Sequence, residues 1–223
     1  MISVDTQSTH VRSGTELKYI VPPCLLAGLQ QLLMESMQPD PYGDGKGVYS
    51  VASLYLDTPD FSSYTRIHPG KWRLRRYGLE DTVHLEYKAK PELGKVVKHR
   101  SEIHASDVCH ILQSDTPKWF VKELHNRTLR PTQMVSYTRR AYFATVDGSP
   151  LRVTLDEDIF SKTTATFDVP HQVVNGVGLL SERILEVKFT DTIPPTFEAA
   201  LTELGLTACS FSKYRTAMQC AGH

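Results

Sequence analysis

Hydrophobic and polar residues alternate along much of this chain, and alternation with a period of two is typical of half-buried β-strands. Gly78 and the Asp147-Gly148-Ser149 turn lie between alternating segments, and such short connections join antiparallel strands. The pattern predicts strands over residues 16–21, 48–56, 71–77, 84–90, 95–103, 133–146, 151–159 and 183–190.

A second pattern, with hydrophobic residues three or four positions apart, predicts a few helices. It is clearest after Pro22 and Pro23, which end the first strand and suit the first turn of a helix running to about Met37. Further helices are predicted over residues 106–113, 117–126 and 195–204, with a short one after Phe211. Strands in hairpins with helices added outside indicate an α+β fold built on an antiparallel sheet that is closed or nearly closed.

The polar faces of the predicted strands carry arginine and lysine with a few carboxylates, in place of serine, threonine and glutamine. On a closed sheet these faces would meet in one lumen, where unneutralised cations repel one another at low dielectric. A phosphate chain would neutralise the cations, and carboxylates could hold Mg²⁺ or Mn²⁺. An ordinary sheet with one solvated face is the alternative. The charged positions include Lys18, Lys71, Arg73, Arg75, Glu86, Lys88, Lys98, Arg100, Arg139, Arg152, Asp156, Asp158, Glu186 and Lys188.

Composition narrows the class of protein. The chain has 223 residues, and its 25 lysines and arginines balance its 25 aspartates and glutamates, which argues against a surface that binds nucleic acid throughout. No apolar run reaches the length of about 18 residues that a membrane span needs, and no signal peptide is predicted in the polar N-terminus. Four scattered cysteines predict reduced thiols and a cytoplasmic location.

Many of these lysines, arginines and carboxylates lie in short motifs along the chain. They are Glu16-Leu17-Lys18-Tyr19, Lys71-Trp72-Arg73-Leu74-Arg75, Leu85-Glu86-Tyr87-Lys88, Val97-Lys98-His99-Arg100, Tyr137-Thr138-Arg139-Arg140, Leu185-Glu186-Val187-Lys188 and Phe211-Ser212-Lys213-Tyr214, with Tyr55-Leu56-Asp57-Thr58 at a strand end. In this order, from about Glu16 to Tyr214, the chain resembles the VTC domain, the polyphosphate polymerase branch of the triphosphate tunnel metalloenzymes, in the CYTH-like superfamily. It is most similar to a stand-alone, bacterial version.

This resemblance implies a single tunnel domain over residues 16–223, a flexible segment over residues 1–15, and a closed antiparallel barrel of about eight strands with helices outside. It implies a metal-dependent enzyme that transfers the γ-phosphate of ATP to growing inorganic polyphosphate, with Mn²⁺ or Mg²⁺, and that also binds triphosphate. The implied catalytic cations are Lys18, Arg73, Arg75, Arg139 and Lys213, the implied phosphate ligands are Lys88, Lys98, Arg100, Tyr137, Lys188 and Ser212, and the implied metal ligand is Glu186.

Two departures from the family pattern bear on this chemistry. Ser210 stands where family members often have a lysine, and Gly14 stands where a fuller ExExK signature has its first glutamate. Fewer carboxylates favour the polymerase over a two-metal hydrolase. A tripolyphosphatase of the same fold and a non-catalytic module that binds polyphosphate or a nucleotide stay open as alternatives. Metal binding by Glu86, Asp156 and Asp158, the oligomeric state and a membrane-protein partner stay open too.

Overall fold

A computed structural model describes residues 15–42, 45–68, 70–89, 97–113, 115–146 and 148–223 of the chain. Its strands are β1 (Thr15–Val21), β2 (Gln38–Pro39), β3 (Val48–Asp57), β4 (Gly70–Tyr77), β5 (Thr82–Ala89), β6 (Val97–His104), β7 (Arg130–Val146), β8 (Ser149–Thr163), β9 (Val177–Gly178) and β10 (Arg183–Phe189). Its helices are α1 (Leu26–Ser36), α2 (Lys118–Asn126), α3 (Pro195–Glu203) and α4 (Lys213–Cys220), and two 3₁₀ helices span Pro23–Leu25 and Ala105–His110.

The predicted strands are confirmed as the eight long strands of this set, and the predicted helices are confirmed at α1, α2, α3 and α4. Residues 90, 95 and 96 of the predicted hairpin lie outside the described residues. The predicted helix over 106–113 is instead a 3₁₀ helix followed by turns. Here Ser106 donates to Asp107 through its hydroxyl and to His104 Nδ1 through its backbone amide, and such local bonds compete with α-helix.

Every strand pairing in the sheet is antiparallel, and the long strands follow the order β1-β10-β8-β7-β3-β4-β5-β6. Strands β1 and β6 are the edges, and within the described ranges no backbone ladder joins them, so hydrogen bonds do not close the predicted barrel. The sheet is nevertheless strongly curved. This follows from the position of Lys88 Nζ on β5, which lies 3.4 Å from Glu16 Oε2 on β1, although the two strands are far apart in the sheet order. Side chains therefore bridge the gap between its two sides.

Helices cover the outer face of the curved sheet in two places. α1 and α3 pack on β1, β8 and β10, where Leu29 and Leu201 meet Val187. α2 packs on β3, β4 and β5, where Phe120 meets Leu74. All five side chains are almost excluded from solvent, and full burial of one such side chain contributes about 1.5–3 kcal/mol. The apolar strand positions in these two places thus face outwards, towards the helices.

α4 packs against the inner face of the sheet. Tyr214 and Met218 are buried in one cluster with Val135 of β7 and Ile184 of β10. Ile184 shares a strand face with Glu186, two residues later, because side chains alternate along a strand. α4 therefore fills part of the concave face and leaves the rest of it to polar side chains.

Strands β7 and β8 change register between Ser136 and Thr138. Within this irregularity Asp158 has a φ of 54° and an exposed side chain, whereas Asp156 is fully buried. The prediction that these two aspartates share one polar face is therefore wrong for Asp158. The cause is the bulge, which breaks the period-two alternation that the prediction assumed.

No helix in the described ranges combines the length and apolarity that a membrane crossing requires. The four cysteines are exposed free thiols, which agrees with the prediction of reduced cysteines. The predicted flexible segment over residues 1–15 lies outside the described residues apart from Thr15, which begins β1, so this segment stays a prediction.

Candidate functional site

The concave inner face of the sheet, here called the lumen, carries the side chains that the sequence singles out. Strand register brings residues from distant motifs together, since Lys18 is opposite Glu186 and Arg139 is opposite Asp156. α4 adds Ser212 and Lys213 from its N-terminal end. The predicted site residues of this face are Lys18, Arg73, Arg75, Lys88, Lys98, Arg100, Tyr137, Arg139, Glu186, Lys188, Ser212 and Lys213.

Four of its side chains, Arg139, Asp156, Glu186 and Lys213, form a buried group that we call the central cluster. Arg139 donates to both oxygens of Asp156, through Nε at 2.6 Å and through Nη2 at 2.8 Å. Lys213 Nζ lies 2.6 Å from Asp156 Oδ2 and 3.3 Å from Glu186 Oε1. The ring of Tyr137 lies under both cations, with Lys213 Nζ 4.6 Å from its centroid. None of the four is more than 7% exposed.

The central cluster is ionised at neutral pH. Burial opposes ionisation of Glu186, but the charges of Lys213, Lys18 and Arg139 outweigh it and hold the pKa of Glu186 well below its usual value. The pKa of Asp156 is lowered in the same way, against burial, by Arg139 and Lys213. Because a buried charge is tolerated only when it is paired, the four side chains fix one another's positions.

Glu16 extends this cluster towards β1. Lys18 Nζ lies 3.2 Å from Glu16 Oε1 and 3.3 Å from Glu186 Oε1, so one ammonium group contacts both carboxylates. Lys88 and Lys188 approach the other oxygen of Glu16 at 3.4 and 3.8 Å. Burial and the charge of Glu186 work against ionisation, but these lysines lower the pKa of Glu16 to about 2. Two ionised carboxylates therefore lie close together in the lumen.

The opposite side of the lumen, formed by β4, β5 and β6, has few carboxylates, and we call it the cation-rich side. Glu86 is shared by three guanidinium groups: Arg73 Nε lies 2.5 Å from its Oε2, and Arg75 and Arg100 approach it at 3.9 Å. Arg75 also donates to the hydroxyl of Ser53 at 2.9 Å. Of the two roles left open for Glu86, pairing with arginine is the one that its contacts support.

The excess of positive charge on this side lowers the pKa values of Lys71 and Tyr55. Burial, with the charges of Lys18 and Arg73, lowers the pKa of Lys71 to about 8. Burial opposes ionisation of Tyr55, but Arg73 and Arg75 lower its pKa to about 8 as well. Both shifts have the sign that uncompensated cations produce. An anion bound among these cations would reverse both.

Lys88 and Lys98 are paired in register on β5 and β6, and both side chains are exposed. The structure gives Lys98 no hydrogen bond or ion pair with any described residue. Like charges at directly opposed positions of a sheet repel each other. These two lysines therefore extend the cation-rich side to the open rim of the lumen.

The N-terminal end of α4 is bonded directly to the sheet. Ser212 caps the helix, because its Oγ accepts from the backbone amide of Arg215 at 3.3 Å. The same oxygen accepts from Lys71 Nζ at 2.8 Å. Lys18 Nζ lies 3.4 Å from the carbonyl oxygen of Phe211. Cations from two strands thus meet at the start of this helix, beside Lys213.

A buried aspartate holds the next residue of α4. Tyr214 donates to Asp57 Oδ2 at 2.6 Å and stacks on Tyr55 with ring centroids 4.9 Å apart. Asp57 lies at the end of β3 and also accepts from the backbone amides of Ser63 and Tyr64. The strand-end motif that contains Asp57 therefore acts on the site indirectly, by fixing the helix that carries the lumen lysine.

Some residues of the lumen are absent from the predicted set. Lys71 could have been found, because it has the same strand parity as Arg73. Glu16 belongs to the Glu16-Leu17-Lys18-Tyr19 motif, in which the resemblance implies a role for Lys18 alone. Arg152 donates to Asp40 at 2.9 Å, although 112 residues separate the two in the chain. No local sequence pattern predicts that contact.

The carboxylates of the lumen could hold a metal ion only together with the phosphate groups of a bound substrate. Within the described residues no group of three or more histidine, cysteine, aspartate or glutamate side chains could hold a metal ion. Mg²⁺ commonly binds to one or two carboxylates together with substrate phosphates. Glu16 and Glu186 fit that smaller requirement, since they are ionised and share the ammonium of Lys18. Asp156 is already bonded to Arg139 and Lys213.

The described residues form a strongly curved antiparallel sheet around a lumen of arginine, lysine and a few carboxylates. Residues 13–221 match the family model of the VTC domain. The chain therefore belongs to the VTC domain family, and the resemblance inferred from its motifs is confirmed.

Solved structures with the same fold share little sequence with this chain. A candidate adenylyl cyclase from Hippeastrum, described as having a dominant triphosphatase activity, is 16% identical with a TM-score of 0.58, over 93% of this chain and 96% of that one. A candidate adenylate cyclase from Bacillus halodurans is 14% identical with a TM-score of 0.55, over 89% and 93%. The PH1819 protein from Pyrococcus horikoshii is 19% identical with a TM-score of 0.53, over 93% and 97%. These identities show the fold alone, and no curated protein matches the chain.

Proposed function

We propose that this protein is a polyphosphate polymerase that transfers the γ-phosphate of ATP to a growing inorganic polyphosphate chain. The observation that carries the proposal is the distribution of charge in the lumen. Lysines and arginines from seven strands and α4 face one concave surface, while the ionised carboxylates are few and lie around Glu186 and at Glu86. A linear polyanion is the ligand that such a surface neutralises.

The residues divide by the kind of contact that they can make. Arg73 and Arg75 can each bind phosphate oxygens through a planar guanidinium group, whereas Arg139, whose Nε and Nη2 are bonded to Asp156, acts with Lys18 and Lys213 as a positive charge. Two buried polar atoms at this face, His84 Nε2 and Thr154 Oγ1, have no hydrogen-bond partner among the described residues. A ligand that reached them would satisfy them.

Transfer requires alignment more than covalent chemistry. An oxygen of the terminal phosphate of the chain forms a bond to the γ-phosphorus, the bond between that phosphorus and the β–γ bridging oxygen breaks, and ADP leaves. The attacking phosphate is already anionic at neutral pH, so no general base is needed. Lys213 and Arg139, fixed by the central cluster, neutralise the equatorial oxygens of the transferred group.

Glu16 and Glu186 would hold Mg²⁺ or Mn²⁺, which when bound supplies charge neutralisation to the phosphate oxygens. Without that ion Glu186 repels an incoming phosphate, because it is ionised. We also propose that the two edges of the sheet enclose the bound chain as a tunnel. The contact between Lys88 and Glu16 across the gap supports this closure.

The test incubates purified protein with ATP and Mn²⁺ and resolves the products by gel electrophoresis. Long phosphate chains and ADP are the expected products, and Arg75→Ala is expected to form neither. Orthophosphate without chains would contradict the polymerase and favour a hydrolase, such as a tripolyphosphatase of the same fold; the Hippeastrum neighbour is described as having a triphosphatase activity. Tight binding of tripolyphosphate without turnover of ATP would replace it with a non-catalytic binding module.

A further inference from the structure

A groove on the outer face of the sheet lies away from the lumen. The rings of Trp72, Tyr87, His99 and Trp119 form a closed circuit of contacts, with successive centroids 4.2, 6.2, 5.5 and 6.2 Å apart. The angles between successive rings are 30°, 31°, 36° and 31°. We call these four rings the aromatic groove, and they line a cavity of about 320 Å³.

A second cavity, of about 410 Å³, adjoins the aromatic groove along α2. Glu123 and Arg127, an ion pair with 2.6 Å between Nε and Oε2, line both cavities. The second cavity is polar, with Thr58, Ser62, His68 and Asn126 in its wall. We call the two neighbouring cavities the trough; one offers ring faces, the other offers hydroxyl and amide groups, and each is within the size range of small-molecule sites.

The aromatic groove offers ring faces rather than hydrogen-bond donors. Trp119 Nε1 already donates to Ser101 Oγ at 2.9 Å. The outer end of the Tyr87 ring lies over Gly70, where a Cβ could not fit. A peptide seeking donors for its carbonyl groups would find no free indole N–H on Trp119. A planar ring can stack on His99 and Trp119, which keep part of their surface accessible.

The charges along the trough favour a neutral ligand. Lys122 and Arg127 are balanced by Asp60 and Glu123. The lumen, by contrast, has an excess of cations. A polyphosphate or a triphosphate group is therefore bound more strongly in the lumen, while the trough lacks the charge to compete for it.

We propose that this trough binds a nucleoside, with the base stacked in the aromatic groove and the sugar hydroxyl groups in the polar cavity. The inference does not depend on the proposed polymerase activity. Stacking tolerates any base, because every base presents a π-face. The sugar end accounts for the polar lining, since the exposed amide of Asn126 can bond hydroxyl groups that a purely aromatic ligand lacks.

The only two tryptophans of the chain, Trp72 and Trp119, both lie in the aromatic groove. Tryptophan fluorescence of the full chain therefore reports on the groove directly. Titration with adenosine is expected to quench the emission in a saturable way. His99→Ala is expected to weaken adenosine about 5- to 150-fold, the range of one base-stacking contact. His125→Ala is the matched control, since His125 is an exposed histidine of α2 that lines neither cavity.

Several results would overturn the inference. Quenching that does not saturate at millimolar adenosine, or that ribose reproduces, would show that no base is stacked. Equal effects of the two histidine variants would show the same. Loss of quenching in Arg75→Ala, or on addition of saturating tripolyphosphate, would place adenosine in the lumen. None of these results concerns polymerase activity, so the two proposals fail independently.

Discussion

The two sides of the lumen use the same residue types for different purposes. In the central cluster two cations meet two carboxylates at distances from 2.6 to 3.5 Å, and all four side chains are buried. On the cation-rich side one carboxylate, Glu86, is shared among three arginines, and Lys88 and Lys98 are exposed. The charges of the central cluster are paired without a ligand, whereas the cation-rich side keeps an excess of positive charge.

This difference separates stability from binding. A side chain of the central cluster has partners that would be left as buried, unpaired charges if it were removed. A side chain at the rim of the cation-rich side leaves nothing unpaired, so that its removal affects the ligand alone. A substitution that leaves a charge of the central cluster buried and unpaired should therefore lower the free energy of unfolding, whereas a substitution at the rim should lower affinity alone.

The largest effect is expected from Arg139→Ala. This change leaves Asp156 buried with Lys213 as its remaining strong partner, and breaking a buried pair costs about 3–5 kcal/mol. The free energy of unfolding, measured by urea denaturation, should fall by that amount. Lys98→Ala on the opposite side is the control, with a change within about 0.5 kcal/mol, because Lys98 is exposed and has no described ion-pair partner. Similar values for the two variants would contradict the division between the sides.

The second prediction concerns catalysis. Glu186→Gln keeps the shape of the side chain but removes the charge that a divalent ion needs, so metal-dependent turnover of ATP should fall below detection. Binding of tripolyphosphate without metal should persist or strengthen, because a repulsive charge is gone. The fold should survive, since Arg139 and Lys213 keep Asp156.

Glu102→Gln is the matched control for that experiment, because its side chain is 63% exposed at the rim. Wild-type turnover with unchanged metal dependence in Glu186→Gln would move the metal site to Glu16. A large loss of thermal stability with unchanged turnover per folded molecule would leave Glu186 with a structural role only.

Sequence alone predicted most of the fold and much of the lumen, because both follow from strand alternation. Parity placed Lys18, Arg73 and Glu186 on polar faces, and their register brings them to one surface. Parity failed at Asp158, where a bulge interrupts the period. It also could not decide between the two roles of Glu86, because those depend on which strand becomes its neighbour.

Other features depend on contacts between distant parts of the chain. Asp57 and Tyr214 are separated by 157 residues, and their hydrogen bond fixes α4. The trough on the outer face joins β4, β5 and β6 to α2 and to the residues that follow β3. No local pattern of residues contains that information. The excess of positive charge, by contrast, follows from the lysines and arginines of the short motifs themselves.

The third prediction uses that excess of charge. Lys71 has its pKa lowered to about 8 in the free protein, and a bound phosphate chain favours its protonated form. Affinity for tripolyphosphate should therefore be greatest below pH 8 and fall as the pH rises above it, by up to about tenfold per pH unit for one such group. Ionisation of Tyr55, also near pH 8, acts in the same direction.

Lys71→Arg gives the control, because an arginine stays protonated over this range. The variant should bind at pH 7 and lose less affinity than the wild type between pH 7.5 and pH 9, a range of about 1.5 units around the shifted value. Isothermal titration at each pH measures both. An identical pH profile in the two proteins would remove Lys71 from the binding surface.

The smallest effect is expected from Lys98→Ala, at the open rim. Exposed charge pairs contribute about 0.2–1 kcal/mol, so that affinity for tripolyphosphate should fall about 2- to 5-fold. The free energy of unfolding should stay the same or rise slightly, because the opposed Lys88 loses a like-charged neighbour. The loss of affinity should shrink as salt is added, since screening acts most strongly on exposed charges.

The control is Lys122→Ala, because Lys122 is an exposed lysine on the outer face. This variant should leave affinity for tripolyphosphate unchanged. If both lysine variants weaken binding equally, the protein attracts tripolyphosphate through its general surface charge. The cation-rich side would then not be its specific binding surface.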